Sequence, residues 1–259
     1  MGTLKNLGDL SDLQIMGFIF VCVFGSALIA FWLRQSLKEH YLSDQTQDVV
    51  KVTTGVIASV AALVLGLLVA SAKQSFDAKA VEVQSIIINA TLLDRSMKHY
   101  EPSLDAERQL LGDSLKGLKA RLWGSSVNAT LADPLGKLDL ARDTFRSLNP
   151  QSDAQKFQQS RFLSLSDTLL YVGNQLIQGS EQSVPLALVA VVVVWLSMIF
   201  FGFGLFAPFN AASLITLACG ASAISMAILL IVTMSDPFSG VIMISEQGFD
   251  SAIAQIAAK

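Results

Sequence analysis

Charge is scarce in this chain. Asp, Glu, Lys and Arg make up 15% of its 259 residues, against about 25% in a typical soluble domain. Apolar residues make up 52% and mean hydropathy is +0.53. An ordinary soluble domain is thereby excluded, and so is disorder, because apolar surface is ample. With 18 basic and 21 acidic residues the net charge is -3, which leaves no basic footprint for nucleic acid. Histidine is reduced to His40 and His99, in different segments. Cysteine is reduced to Cys22 and Cys219, each inside an apolar run. That pattern makes neither a disulfide framework nor a zinc site. Ser-His-Asp spacing, a Walker loop and an HExxH helix are all missing, so no catalytic residue, metal or cofactor is expected and the chain does not read as an enzyme. Alternating strand patterns are also missing, which argues against a membrane β-barrel.

Long uncharged runs are present instead. A helix needs about 20 apolar residues to cross the hydrocarbon core of a bilayer. Four stretches qualify: 13–33, 52–72, 185–206 and 211–234. The first is too long for a signal peptide, and no small-residue cleavage site follows it. Its Phe31, Trp32 and Arg34 read as an interfacial belt that anchors an uncleaved span. The expected class is therefore all-α, with the lipid bilayer as the first partner.

Between the second and third spans lie residues 73–184, which hold 13 basic and 13 acidic residues. This is the water-exposed part, and it reads as a helical bundle. One helix is expected to run unbroken from the second span through Lys73 to about Tyr100, since 67–100 contains no Gly or Pro. Further helices are expected over about 104–123, 135–148 and 153–179, separated by Glu101-Pro102, the stretch Gly124 to Pro134, and Asn149-Pro150. The domains are then 1–72, a first membrane hairpin; 73–184, helical; 185–234, a second hairpin; and 235–259, a turn and a tail. The turn is Asp236-Pro237-Phe238-Ser239-Gly240. The tail carries Phe249, Ile253 and Ile256 at helical spacing, with Ser245 as the expected N-cap. Four spans place both termini and the helical domain on one side. Lys5, Lys73 and Lys79 there balance Arg34, Lys38 and Lys51 on the other, so the positive-inside rule gives no orientation.

The second span is the most informative. At about 100° per residue, Gly55, Ala58, Ala62, Gly66 and Ala70 fall along one row. Small residues four apart let helix backbones approach closely. The row fits packing within the chain or a subunit interface. The opposite face carries Thr53, Val56, Val60, Val64, Leu67 and Ser71. A ring of such valines with hydroxyls at both ends fits a narrow pore gated by dewetting; lipid exposure fits the same composition. The fourth span has a second small row, Ala212, Thr216, Gly220, Ala223 and Ala227, whose hydroxyl is expected to bond to its own helix, as are those of nearby Ser222 and Ser225. No span contains an internal acid, base or histidine, against a proton relay.

The runs 42–50 (LSDQTQDVV) and 61–77 (AALVLGLLVASAKQSFD), with Leu93-Asp94-Arg95 and the Asp236–Gly240 turn, resemble a bacterial membrane-protein family described as bestrophin-like. The resemblance covers nearly the whole chain and extends to bestrophin anion channels. It implies a homo-oligomer, a pentamer by that likeness, with the second span lining a pore for chloride or other small anions. It implies a cytoplasmic helical domain and termini in a multi-pass inner-membrane protein. Val56, Val60 and Val64 match the large apolar pore residues in spacing, with smaller side chains. The acidic run that binds calcium in animal bestrophins has no counterpart: only Glu246 and Asp250 follow Asp236. Two functions stand open, an anion channel and a non-conducting scaffold or sensor whose helical domain binds a partner.

Overall fold

The computed structural model describes residues 12–36, 43–100, 104–124, 133–179 and 186–258. Among these the chain is all helix, in the order α1 (Asp12–Ser36), α2 (Asp44–Tyr100), α3 (Asp105–Trp123), α4 (Gly136–Ser147), α5 (Asp153–Gly179), α6 (Leu186–Phe206), α7 (Ala211–Ser235) and α8 (Gln247–Ala257). Four of them, α1, α2, α6 and α7, are long and apolar enough to cross a membrane. The expected starts and breaks at Pro185, Pro102 and 125–132 lie outside the described residues, as do Lys5, Lys38, His40 and Leu42.

The helix expected to pass unbroken beyond Lys73 does so: α2 is 57 residues long. Neither Gly nor Pro interrupts its second half, and long helices kink sharply only at such breakers. The chain divides into two compact units. One comprises 1–76, 183–236 and 240–242; the other comprises 77–182, 237–239 and 243–259.

In the first unit α1 packs against α6 and α7. Val23 and Ala27 of α1 are fully buried with Val192 of α6 and Ala221, Ile228 and Ile231 of α7. Ser26 Oγ donates to the Ser197 carbonyl at 2.9 Å, tying α1 to α6. The closest approach is at Gly204, where a Cβ would lie 2.4 Å from the Ala27 carbonyl oxygen. This is small-residue packing of the kind membrane helices rely on, and it falls on α6, not on the second span. Phe31 does not belong to an interfacial belt. It is 4% exposed and meets Phe209 edge to face, because the α6–α7 connection brings that ring back onto α1. Trp32 is exposed, and Arg34 donates to the Ala207 carbonyl.

In the second unit the expected helical segments form as α3, α4 and α5. α3 packs on α4, α5 and α8, and α4 on α5. Ile86, Ala90, Leu93 and Met97 of α2, Leu111, Leu115 and Leu118 of α3, and Phe145 and Phe162 form the core. Phe145 and Phe162 stack with centroids 4.0 Å apart. The tail helix α8 packs on α3, burying Phe249, Ala252 and Ile256. Ser245 is not its N-cap. Glu246 holds that position, and the Ser245 hydroxyl accepts from the Gln247 N–H at 3.3 Å.

Candidate functional site

The second span within α2 has three faces. Thr54, Ala61, Leu68 and Ala72, spaced seven and four apart, are the residues buried by the chain itself. A seven-residue spacing keeps a row on one side of a helix with about 20° of drift per repeat.

The face read as a pore lining lies beside that contact and is mostly open, although Val64 packs against the core of the unit. Val56 is 61% exposed, Val60 44% and Leu67 72%; Thr53 and Ser71 are exposed and Val64 is half-buried. The small-residue row forms the third face. Gly55, Ala62, Gly66 and Ala70 are exposed and Ala58 is half-buried. A Cβ placed on Gly55 or Gly66 would meet nothing within 4 Å. Among the described residues Ala58 of this row packs on the core of the unit while Gly55 and Gly66 stay open, and the main intrachain contact belongs to the Thr54–Ala72 row. In α7, Thr216, Ser222 and Ser225 donate to the carbonyls of Ala212, Ala218 and Ala221 at 2.8–2.9 Å, as such hydroxyls do when no other acceptor competes.

The post-span turn has its parts in two settings. Asp236 caps α7, its N–H donating to the Thr233 carbonyl. Gly240 has φ +86°, and a Cβ there would sit 3.1 Å from Asp12 Oδ2. A left-handed φ and this close approach both require glycine. The Asp12 carboxylate also accepts from the Val241 N–H at 2.9 Å. In the second unit, Pro237 accepts from the Ile244 N–H at 2.8 Å. Phe238 is buried against Trp123, whose indole N–H donates to the Ile244 carbonyl.

One polar cluster went unnoticed in the sequence. Asp94, 2% exposed, accepts from Arg108 Nε at 2.7 Å and lies 3.2 Å from Lys98 Nζ. Arg108 also donates to Asp105 and to the Ile256 and Ala258 carbonyls at the end of α8. Helix C-termini leave such carbonyls without intrahelical partners and favour a cation there. Burial alone would lower the Arg108 pKa, but the hydrogen bonds and charges of Asp94 and Asp105 outweigh it and raise it. Asp94 is thus structural: it holds the arginine that holds the tail helix. A legible signal existed, because Arg108 falls on the same helix face as Leu111, Leu115 and Leu118.

The sequence matches the family model described as the bestrophin-like domain over residues 21–249, while no curated protein matches it. Crystal structures of a bacterial bestrophin homologue from Klebsiella pneumoniae share the fold. One, solved with zinc phasing, is 16% identical and covers 92% of this chain and 96% of that one, with a TM-score of 0.68. Two single-substitution variants are also 16% identical. The first covers 93% of this chain and 97% of its own, with a TM-score of 0.66. The second covers 93% and 98%, with a TM-score of 0.70. The matched segment takes in the second span, the helical segment and the post-span turn, so this multi-pass membrane protein belongs to the bestrophin-like family.

Proposed function

We propose that the protein is a homo-oligomeric ion channel whose pore is lined by Thr53, Val56, Val60, Val64, Leu67 and Ser71 of α2. One observation carries the reading. The chain itself buries 11% of the most apolar stretch of the second span, against 28%, 39% and 28% for the other three. Lipid accounts for one open face of such a helix, but it gives no reason for the small residues of the other. Lipid tails have no need of glycine, whereas helix association in a membrane does. The Gly55, Ala58, Ala62, Gly66, Ala70 row is accordingly the contact with a neighbouring copy, and the valine face looks onto the axis. Beyond the span, Val81 and Ile88 of α2 are 68% and 50% exposed. There water, not lipid, is the alternative cover, which again favours another copy.

The permeant species is chloride or another small anion and the ring is a pentamer, both on the resemblance to bestrophin anion channels. The pore face bears no charge, so the barrier is an apolar constriction that conducts when wetted. Chloride efflux from liposomes holding the pure protein tests this. Efflux that Val60→Ser increases supports the pore; no efflux above empty liposomes leaves the scaffold reading. The same family reading places the protein in the inner membrane with α3–α5 and both termini cytoplasmic. A cysteine at exposed Ser152 should resist an impermeant thiol reagent in intact cells and react once they are opened.

A further inference from the structure

A cleft of about 710 Å³ opens in the first unit between the start of α2, the end of α6 and the start of α7. Its lining is graded along the direction of the helices. At one end stand Gln47 and Lys51, just ahead of the apolar run of the second span, with Ser213 in the first turn of α7. At the other end stand Phe200, Leu217 and Gly220. Phe200 is six residues before the end of α6 and Gly220 nine residues into α7. At about 1.5 Å per residue the floor lies roughly 10 Å deeper than the mouth. If α2, α6 and α7 cross the bilayer, the mouth lies at headgroup level and the floor within the hydrocarbon. Among the described residues of the lining there is one cation, Lys51, and no carboxylate. Among the described residues Lys51 pairs with exposed Asp48 at 3.7 Å, a pair weak enough to yield to a stronger partner. Just outside, the Arg34 guanidinium is fixed on the carbonyl of Ala207, itself a lining residue.

We propose that this cleft seats a single anionic phospholipid. Its phosphate lies against Lys51 and Ser213, and one acyl chain descends along Phe200 and Leu217. The charge complementarity and the polarity gradient match an amphiphile better than the face of another protein chain. The inference rests on the spans crossing a bilayer, not on conduction.

Native mass spectrometry of the full-length protein in mild detergent tests it, with phosphatidylglycerol and phosphatidylcholine of the same acyl chains as probes. The wild type should retain phosphatidylglycerol preferentially. Lys51→Gln should weaken that retention about fivefold, the factor expected of one lysine near a lipid phosphate, and leave phosphatidylcholine unchanged. Thr216→Phe, which fills the cleft from its wall, should displace both lipids without changing the number of copies per particle. Equal retention of the two lipids by the wild type would overturn the proposal. So would an undiminished preference in Lys51→Gln, or lipid still held by Thr216→Phe. A change in the number of copies in Thr216→Phe would assign the cleft to the contact between copies instead.

Discussion

The helix α2 is one element in two surroundings. In the second unit it buries large side chains, Ile86, Leu93 and Met97, each with no exposed surface, among leucines and phenylalanines of its own chain. In the first unit it buries Ala61, Leu68 and Ala72, and most of its surface is open. In water, apolar area left exposed costs about 25 cal/mol per Å², so a helix must cover it with its own chain. In lipid that penalty vanishes, and close packing of small residues takes over. The second unit is therefore held by its own core, and the first, along α2, by whatever surrounds it. Substitutions should separate the two regimes.

The largest effect is expected in the second unit. Phe162→Ala removes a buried ring stacked on Phe145 and should cost about 3–5 kcal/mol, read as a fall in the thermal midpoint. A shift within error would mean that this core does not carry the unit. Arg108→Ala strands the Asp94 carboxylate and frees the end of α8. Breaking a buried pair costs about 3–5 kcal/mol, and the remaining Lys98 places the loss at the lower end. Protease cleavage near Gln247 should accelerate, and Arg108→Lys should restore protection only in part, because lysine cannot make the forked contacts.

In the first unit the order changes. Gly66→Leu meets open space within one chain, so the protomer should fold normally. Between copies it should cost roughly 1–3 kcal/mol per contact, repeated at every interface of a symmetric ring. Val60→Leu should leave assembly intact. Size exclusion reads the difference; identical profiles would mean that the small-residue row is not an interface.

The smallest effect is electrostatic. Hydrogen bonds from Lys137 and Lys116 hold the Asp113 carboxyl below its ordinary range. A depressed carboxylate contributes stability that is present above its unfolded pKa and lost as pH falls through its folded one. Asp113→Asn should therefore flatten the acid side of the pH–stability curve slightly, by ~0.5 kcal/mol for a surface pair of this kind. An acid limb identical to wild type would show that the tie between α3 and α4 adds nothing.

The same contrast explains what could be read from the sequence. Helix ends at Trp123, Gly179 and Ser235 were legible because breakers such as Gly124 and Pro237 act locally. Phe249 and Ile256 of the tail, both buried, were legible at helical spacing because water makes the inside apolar and the outside polar. In the second span Thr54–Ala72, Gly55–Ala70 and Thr53–Ser71 are three uncharged rows, none set apart by charged residues on the facing side, and periodicity stops marking the inside. The burial of Phe31 was hidden for a different reason. Its partner, Phe209, lies far away in sequence, so an aromatic at a span end looked like a membrane anchor. Gly204 likewise showed no sign of its contact with Ala27 until the two helices were brought together.

The central question for α2 is whether other copies complete its open faces in the first unit. The mass of the purified particle in detergent, measured by native mass spectrometry with lipid stripped, decides it. Five copies of the 27.8-kDa chain, falling to smaller species in Gly66→Leu, is the expected result. A single-copy particle for the wild type would contradict it and leave lipid alone around the second span.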